Sequence, residues 1–428
     1  MRISAIVFGT WFACATAAAE LPPSPPEAEG LSPERLSRVD AVARRYIESG
    51  AFPGAIVAVA RNGKVVHLSA LGRRGTEDER PLPLEALFRM YSSTKMVTAV
   101  AVMQQYEQGR FQWSDPVANV LPELASLDVL GRDGKREPAR TPITMRQLLT
   151  HTSGLSYGID ANDPVDRAYL EAELWVSEDL DTLAAKVGRL PLRSQPGTEW
   201  RYSVGMDLAG LVVQRLAGQR FDRYLEEHLF EPLDMRDTGF VVPDEKRDRF
   251  LPNHLLGEGE VATRAFDPTR GAVEFPGGLF AYGCGSGCDY RNVTLHSGGA
   301  GLVSTTRDFL RFGEMLRNGG ALGDVRILSP STVDFMASAH VPPGIMSAGG
   351  ALAGQSRGLG VGVLTDPVAR GVSGNAGEFY HDGAAGTVFW VDPVEDIVGL
   401  GMIQVMGGFV WEPDLKTAVY QAVTESKR

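Results

Sequence analysis

A chain of 428 residues that is 43% hydrophobic, 22% charged and 8% aromatic has a globular composition, enough for one large core or two modest ones, and excludes a disordered chain. Its 53 acidic and 42 basic side chains leave a formal charge of −11, which repels phosphate backbones and anionic lipid and so disfavours nucleic-acid and membrane-surface partners. Three cysteines and seven histidines show no close ligand spacing, so no metal or other cofactor is expected.

In chain order, Arg2, an apolar run from Ile3 to about Ala15, and Ala17, Ala18 and Ala19 before Glu20 read as a cleavable secretory signal, residues 1–19. The run falls short of the roughly 20 residues that span a bilayer, and no later segment is longer. A periplasmic or secreted protein is therefore expected, with no transmembrane segment after cleavage. ELPPSPPEAEG, residues 20–30, reads as a mobile linker with nothing to bury. A single domain over 31–428 is expected to follow.

Ser32 caps and Pro33 opens a helix running to about Ser49. GAIVAVARNGKVVHLSALG, residues 54–72, reads as a hairpin turning at Asn62-Gly63. FRMYSSTKMVTAVAVMQQYEQG, residues 88–109, opens an amphipathic helix with Ser92, Ser93, Thr94 and Lys95. Helical periodicity at 144–150, 165–189, 205–218 and 219–230 follows, with no strand before about 275. Cys284 and Cys288, in YGCGSGCDY, close a small disulfide ring or stay as two free thiols. STTRDFLRFGEMLRNGG is a capped helix, then GLGVGVLTD, GEFYHDG, GTVFWVDP and IVGLGMIQVM read as short strands. Glu412 to Ser426 closes the chain as a helix. The expected fold is α+β: one antiparallel sheet from both chain ends, flanked by helices, with a helical region of about 96–275 inserted.

On a helix, positions i and i+3 share a face, so Ser92 lies over Lys95 and Ser93 does not. A serine attacks only when a base takes its proton. A lysine serves as that base when burial and a helix N-terminus discharge it; alternatively it stays charged and acts on a neighbouring phenol. The competing reading is that these hydroxyls cap the helix. With 25 serines and 7 lysines, chance alone gives roughly 0.4 such spacings, so the pair needs company.

That company is LLTHTSGL (148–155), PGTEWRYSVGMDLAG (196–210), SGGAGLVSTTRDF (297–309) and YHDGAAGTVFWVDP (380–393). Together with the S-S-T-K stretch they resemble the serine β-lactamase and penicillin-binding superfamily over about residues 32–425. The pattern is most similar to the class VIII carboxylesterases related to class C β-lactamases. The resemblance implies a β-lactamase/transpeptidase-like fold, Ser92 as nucleophile, Lys95 as its lysine, and Tyr202 of Tyr202-Ser203-Val204 as the phenol relaying the proton. It implies an oxyanion hole from the backbone N–H groups of Ser92 and Ala384, and substrate contacts at His381, Gly383 and Val204. His151, Thr152 and Ser153 are expected to be structural.

Two departures point away from β-lactams. Val204 stands where the family's asparagine holds an acylamide, and His381 stands where a lysine or arginine-like cation meets the carboxylate. Together they are expected to weaken β-lactam turnover by several kcal/mol, on the order of a thousandfold. Acidification toward pH 6 is expected to restore charge to His381. The expected activity is hydrolysis of carboxylic esters through a Ser92 acyl-enzyme on small-molecule ester or amide substrates. Alternatives are a D-amino peptidase, a carboxypeptidase or a weak β-lactamase acting on cell-wall fragments or β-lactams, and an inactive wall-fragment binder. Gly354-Gln355-Ser356-Arg357-Gly358 matches the G-x-S-x-G elbow, but a strand-like run follows the serine where a helix is required.

Overall fold

The computed structural model describes residues 21–131, 134–257, 259, 261–263, 273–274, 280–281, 289–348 and 353–427. The expected signal segment and the Cys284 and Cys288 pair, read as a ring or as free thiols, lie outside them. Helix α1 (Arg38–Glu48) leads into β1 (Gly54–Arg61), β2 (Lys64–Gly75) and β3 (Asp78–Pro81). Helices α2 (Thr94–Glu107), α3 (Gly205–Ala217) and α4 (Thr306–Arg317) follow. The chain closes with β4 (Gln355–Arg357), β5 (Gly362–Leu364), β6 (Phe379–Tyr380), β7 (Val388–Asp392), β8 (Ile397–Met402) and α5 (Glu412–Tyr420).

The eight strands form one antiparallel sheet in the order β4-β5-β6-β7-β8-β1-β2-β3. Both chain ends meet at β1, where Ile56 faces Met402 on one side and Ala70 on the other. Asn62 and Gly63, both with positive φ (56° and 80°), make the expected hairpin turn. All eight residues of β1 are buried, because both sheet faces are covered. Ile56, Ala58 and Ala60 join the core built with α2, α3 and α4, whereas Ala55, Val57 and Val59 join the core under α1 and α5.

Three expectations give way to packing. Helix α2 is not amphipathic: every residue from Thr94 to Met103 is buried, as befits a helix enclosed between sheet and helical region. The inserted region does hold strands, Asp128–Leu130 against Arg136–Pro138 and His254–Leu255 against Val405–Met406, too short to show a period. The run expected at 165–189 is two helices, Pro164–Glu171 and Leu180–Val187, each opened by an aspartate cap.

Segment 21–30 is no loose linker. Pro23 bridges to Val65, and Glu29 is buried, accepting 2.8 Å hydrogen bonds from Ser24, Asn62 and Lys64. Those donors, Lys64 foremost, hold its carboxyl down to about 2. Arg61, also buried, donates to the carbonyls of Glu29, Gly30 and Glu425 and to the Glu395 carboxylate, tying both ends of the domain together. No helix of the described residues is long and apolar enough to cross a membrane.

Candidate active site

Ser92 sits in a single 3-10 turn, Tyr91–Ser93, that runs directly into α2. The residue before it, Tyr91, has a φ of 44°, a left-handed conformation costly for a tyrosine. The turn is held from outside: Asn253 Nδ2 donates to the Tyr91 hydroxyl at 2.6 Å, and Ser93 Oγ donates to the His381 carbonyl at 3.0 Å. Neither Ser92 nor Ser93 caps the helix with its side chain. The hydroxyls serve tertiary contacts instead, which disposes of the capping alternative.

Lys95, one turn inside α2, is fully buried. Its Nζ donates to the Gly299 carbonyl at 2.6 Å and to Ser92 Oγ at 3.3 Å. It also lies 4.7 Å from the Tyr202 ring centroid and 5.4 Å from that of Tyr157. A carbonyl and two aromatic faces offset the loss of water around this head group. Tyr202 completes the group, its hydroxyl donating to Ser92 Oγ at 2.8 Å. Ser92 Oγ thus has both expected partners within reach.

Behind Tyr202 stands His151, ring centroids 4.7 Å apart. Its Nδ1 accepts from the Ser203 amide at 3.2 Å, and a φ of 58° aims the ring. Burial, with the charges of Lys95 and Arg357, holds its pKa well below the ordinary 6.5, so it remains neutral. It is a packing wall for the tyrosine, as expected.

Asp207 is a residue the sequence reading missed. Buried on α3, it accepts from Ser297 Oγ and, at 3.1 Å, from the Gly299 amide, so it fixes the carbonyl that receives Lys95. Burial raises its pKa, and nearby Lys95 opposes that rise. A Cβ at position 299 would lie 2.4 Å from Asp207 Oδ2, and one at 298 would lie 2.6 Å from the Met206 carbonyl. Only glycines fit there. An aspartate three positions past the Y-S-V triplet, paired with an S-G-G run, was the available signal.

On the other side, His381-Asp382-Gly383 leaves β6 toward a turn whose Gly383 amide bonds the Thr387 carbonyl at 2.9 Å. This is a hairpin turn and part of the site at once: a Cβ on Gly383 would lie 2.4 Å from the Met90 carbonyl, two residues before Ser92. Among the described residues, the amides of Ser92 and Ala384 have no hydrogen-bond partner. Two unpaired amides, one of them on Ser92 itself, are donors of the kind that can receive a developing oxyanion.

Two sequence expectations need correction. His381 is 8% exposed, and burial, with Lys95 and Arg357 nearby, pushes its pKa well below the ordinary 6.5. It does not gain charge near pH 6. Val204, expected to contact substrate, is fully buried in the main core, its amide bonded to the Ser156 carbonyl at 3.1 Å. Ser356 is equally out of play, since its buried Oγ donates to the Val341 carbonyl at 2.8 Å on the sheet's edge strand β4. A groove of 630 Å³ beside Tyr106, Glu107, Arg326 and Ser329 contains none of these groups. No cluster of metal-ligating side chains occurs among the described residues.

A model of the β-lactamase family matches residues 39–423. An uncharacterized protein of Mycobacterium tuberculosis is 32% identical, the match covering 84% of this chain and 88% of the relative. Esterase EstB of Burkholderia gladioli is 31% identical over 83% of this chain and 87% of its own. Among solved structures, EstCE1, a hydrolase with promiscuous acyltransferase activity, superposes with a TM-score of 0.78 at 27% identity, covering 92% of this chain and 100% of that one. With the matched region spanning nearly the whole sheet and every residue of the Ser92 cluster, the chain belongs to the β-lactamase family of serine hydrolases.

Proposed function

We propose that the protein is an exported carboxylesterase working through a Ser92 acyl-enzyme. The observation that carries this reading is the convergence of Tyr202 Oη and Lys95 Nζ on Ser92 Oγ, at 2.8 Å and 3.3 Å. With the Tyr202–Lys95 pair short of one proton, as a phenolate beside an ammonium or a phenol beside a free amine, Ser92 Oγ attacks the ester carbonyl and its proton fills that vacancy. The carbonyl oxygen, now negative, is received by the amides of Ser92 and Ala384, donors typically worth about 3–4 kcal/mol each. As the ester C–O bond breaks, the pair returns the proton to the departing alcohol. Water then enters by the reverse route and releases the acid.

The likeness to Esterase EstB and to the hydrolase EstCE1 supports esters as the substrate class. Position 204 supports it too, because its valine is sealed in the core and offers an acylamide no side-chain partner. Tyr202, Lys95 and the open amides together weigh against a silent binder, which needs none of them. Export rests on the leader-like residues 1–19. The test is a stopped-flow burst with a short p-nitrophenyl ester beside a chromogenic cephalosporin. A nitrophenol burst with the ester supports the reading, and turnover of the cephalosporin alone overturns it.

A further inference from the structure

The site carries one more charged group that ester cleavage leaves unused. Arg357 ends β4, and its half-buried guanidinium stacks over the Trp200 ring, 4.8 Å from the centroid and two residues before Tyr202. Its Nε is buried without a hydrogen-bond partner, and among the described residues the head group makes no hydrogen bond and no ion pair. Other buried arginines each reach at least one acceptor, although Arg89 also leaves its Nε unpaired. Arg61 pairs with Glu395, Arg89 donates to the Leu251 carbonyl, and Arg311 donates to the Leu233 carbonyl. The Arg357 charge also reaches inward, since it helps keep both His381 and His151 neutral.

A partly desolvated guanidinium with open donors is costly until an anion arrives. Its planar fork matches a carboxylate through two parallel N–H···O bonds. With His381 neutral, Arg357 supplies positive charge on the β4–β6 side of Ser92. Building on the ester reading, we infer that Arg357 anchors a carboxylate on the substrate, so that the preferred substrates are acid-bearing esters. The acid sits either on the acyl chain, as in a dicarboxylic hemiester, or on the alcohol.

Two matched pairs of substrates test this: p-nitrophenyl hemiglutarate against p-nitrophenyl pentanoate, and 4-acetoxybenzoate against phenyl acetate. In Arg357→Gln, kcat/KM for the charged member of one pair should fall at least tenfold further than for its neutral counterpart, chiefly through KM. Arg357→Lys should recover part of that loss, and the pair affected tells which side carries the acid. Equal losses for charged and neutral esters, or none, overturn the inference. The same charged esters titrated calorimetrically into Ser92→Ala give a readout independent of turnover, and Arg357→Gln should weaken the binding at least tenfold. If neutral esters are hydrolysed and neither contrast appears, Arg357 alone is misread. If no ester is hydrolysed, the ester reading fails and the calorimetry decides on Arg357.

Discussion

Tyr202 Oη lies 2.8 Å from Ser92 Oγ although the two residues are 110 positions apart. Lys95 lies beside both, its Nζ 4.7 Å from the Tyr202 ring centroid and 3.3 Å from the serine oxygen. A proton leaving Ser92 therefore meets a pair of groups in mutual contact.

Groups that act as a unit do not contribute separately. Lys95→Ala, Tyr202→Phe and the double variant should accordingly lose similar amounts of kcat on a short p-nitrophenyl ester. Near-normal kcat in Tyr202→Phe would leave Lys95 acting alone and remove the tyrosine from the account.

Asp207 should matter without touching substrate. Removing its carboxylate leaves the Ser297 hydroxyl and Gly299 amide unpaired in a buried place, a cost of roughly 1–3 kcal/mol. If that cost appears as misplacement of Lys95, Asp207→Ala should lower kcat by roughly 10- to 100-fold with KM little changed. Asp207→Asn, which keeps an acceptor oxygen, should recover part of it. A loss confined to thermal stability, with kcat intact, would make Asp207 a core residue only.

Substrate choice should follow the absence of a polar side chain at position 204, where a buried valine stands, more than His381. The missing acylamide partner costs roughly 1–3 kcal/mol, so kcat/KM for a short ester should exceed that for a cephalosporin by about 10- to 100-fold. Since burial keeps His381 neutral, that ratio should stay level between pH 7 and pH 6. A ratio that narrows on acidification would show His381 charged and facing the substrate.

Much of this was legible before any coordinates. The hairpin at Asn62-Gly63 and the i, i+3 pairing of Ser92 with Lys95 rest on local geometry that sequence records directly. Tyr202, Gly383 and Ala384 were legible only through resemblance, because nothing local joins them to a serine a hundred or more residues away. Asp207 and Arg357 went unread: one acts through Gly299, and the other is recognised by partners it lacks. Segment 21–30 misled because its proline-rich composition hides the one residue that matters, Glu29, whose donors Asn62 and Lys64 come from the hairpin.

Away from the site, Glu378 gives a stability test. It is buried against Lys416 and Tyr420, and burial pushes its pKa up to about 7 from 4.5. Between those values the folded chain keeps a proton that the unfolded chain releases. Ionisation there favours unfolding, so this residue's contribution falls as pH rises from 4.5 to about 7. Glu378→Gln does not titrate, and the buried histidines titrate in both proteins. The unfolding free energy of Glu378→Gln minus that of wild type should therefore increase across this window, by roughly 3 kcal/mol at most. A flat difference in denaturant titrations at pH 5 and pH 8 would refute it.

Covalent trapping addresses the Ser92 acyl-enzyme most directly. The full-length protein is treated with a fluorophosphonate, digested and mapped by mass spectrometry, with Ser92→Ala and Ser356→Ala alongside. The account predicts one adduct, on the peptide holding Ser92, absent from Ser92→Ala and retained in Ser356→Ala. An adduct on the Ser356 peptide, or labelling that survives Ser92→Ala, would contradict it.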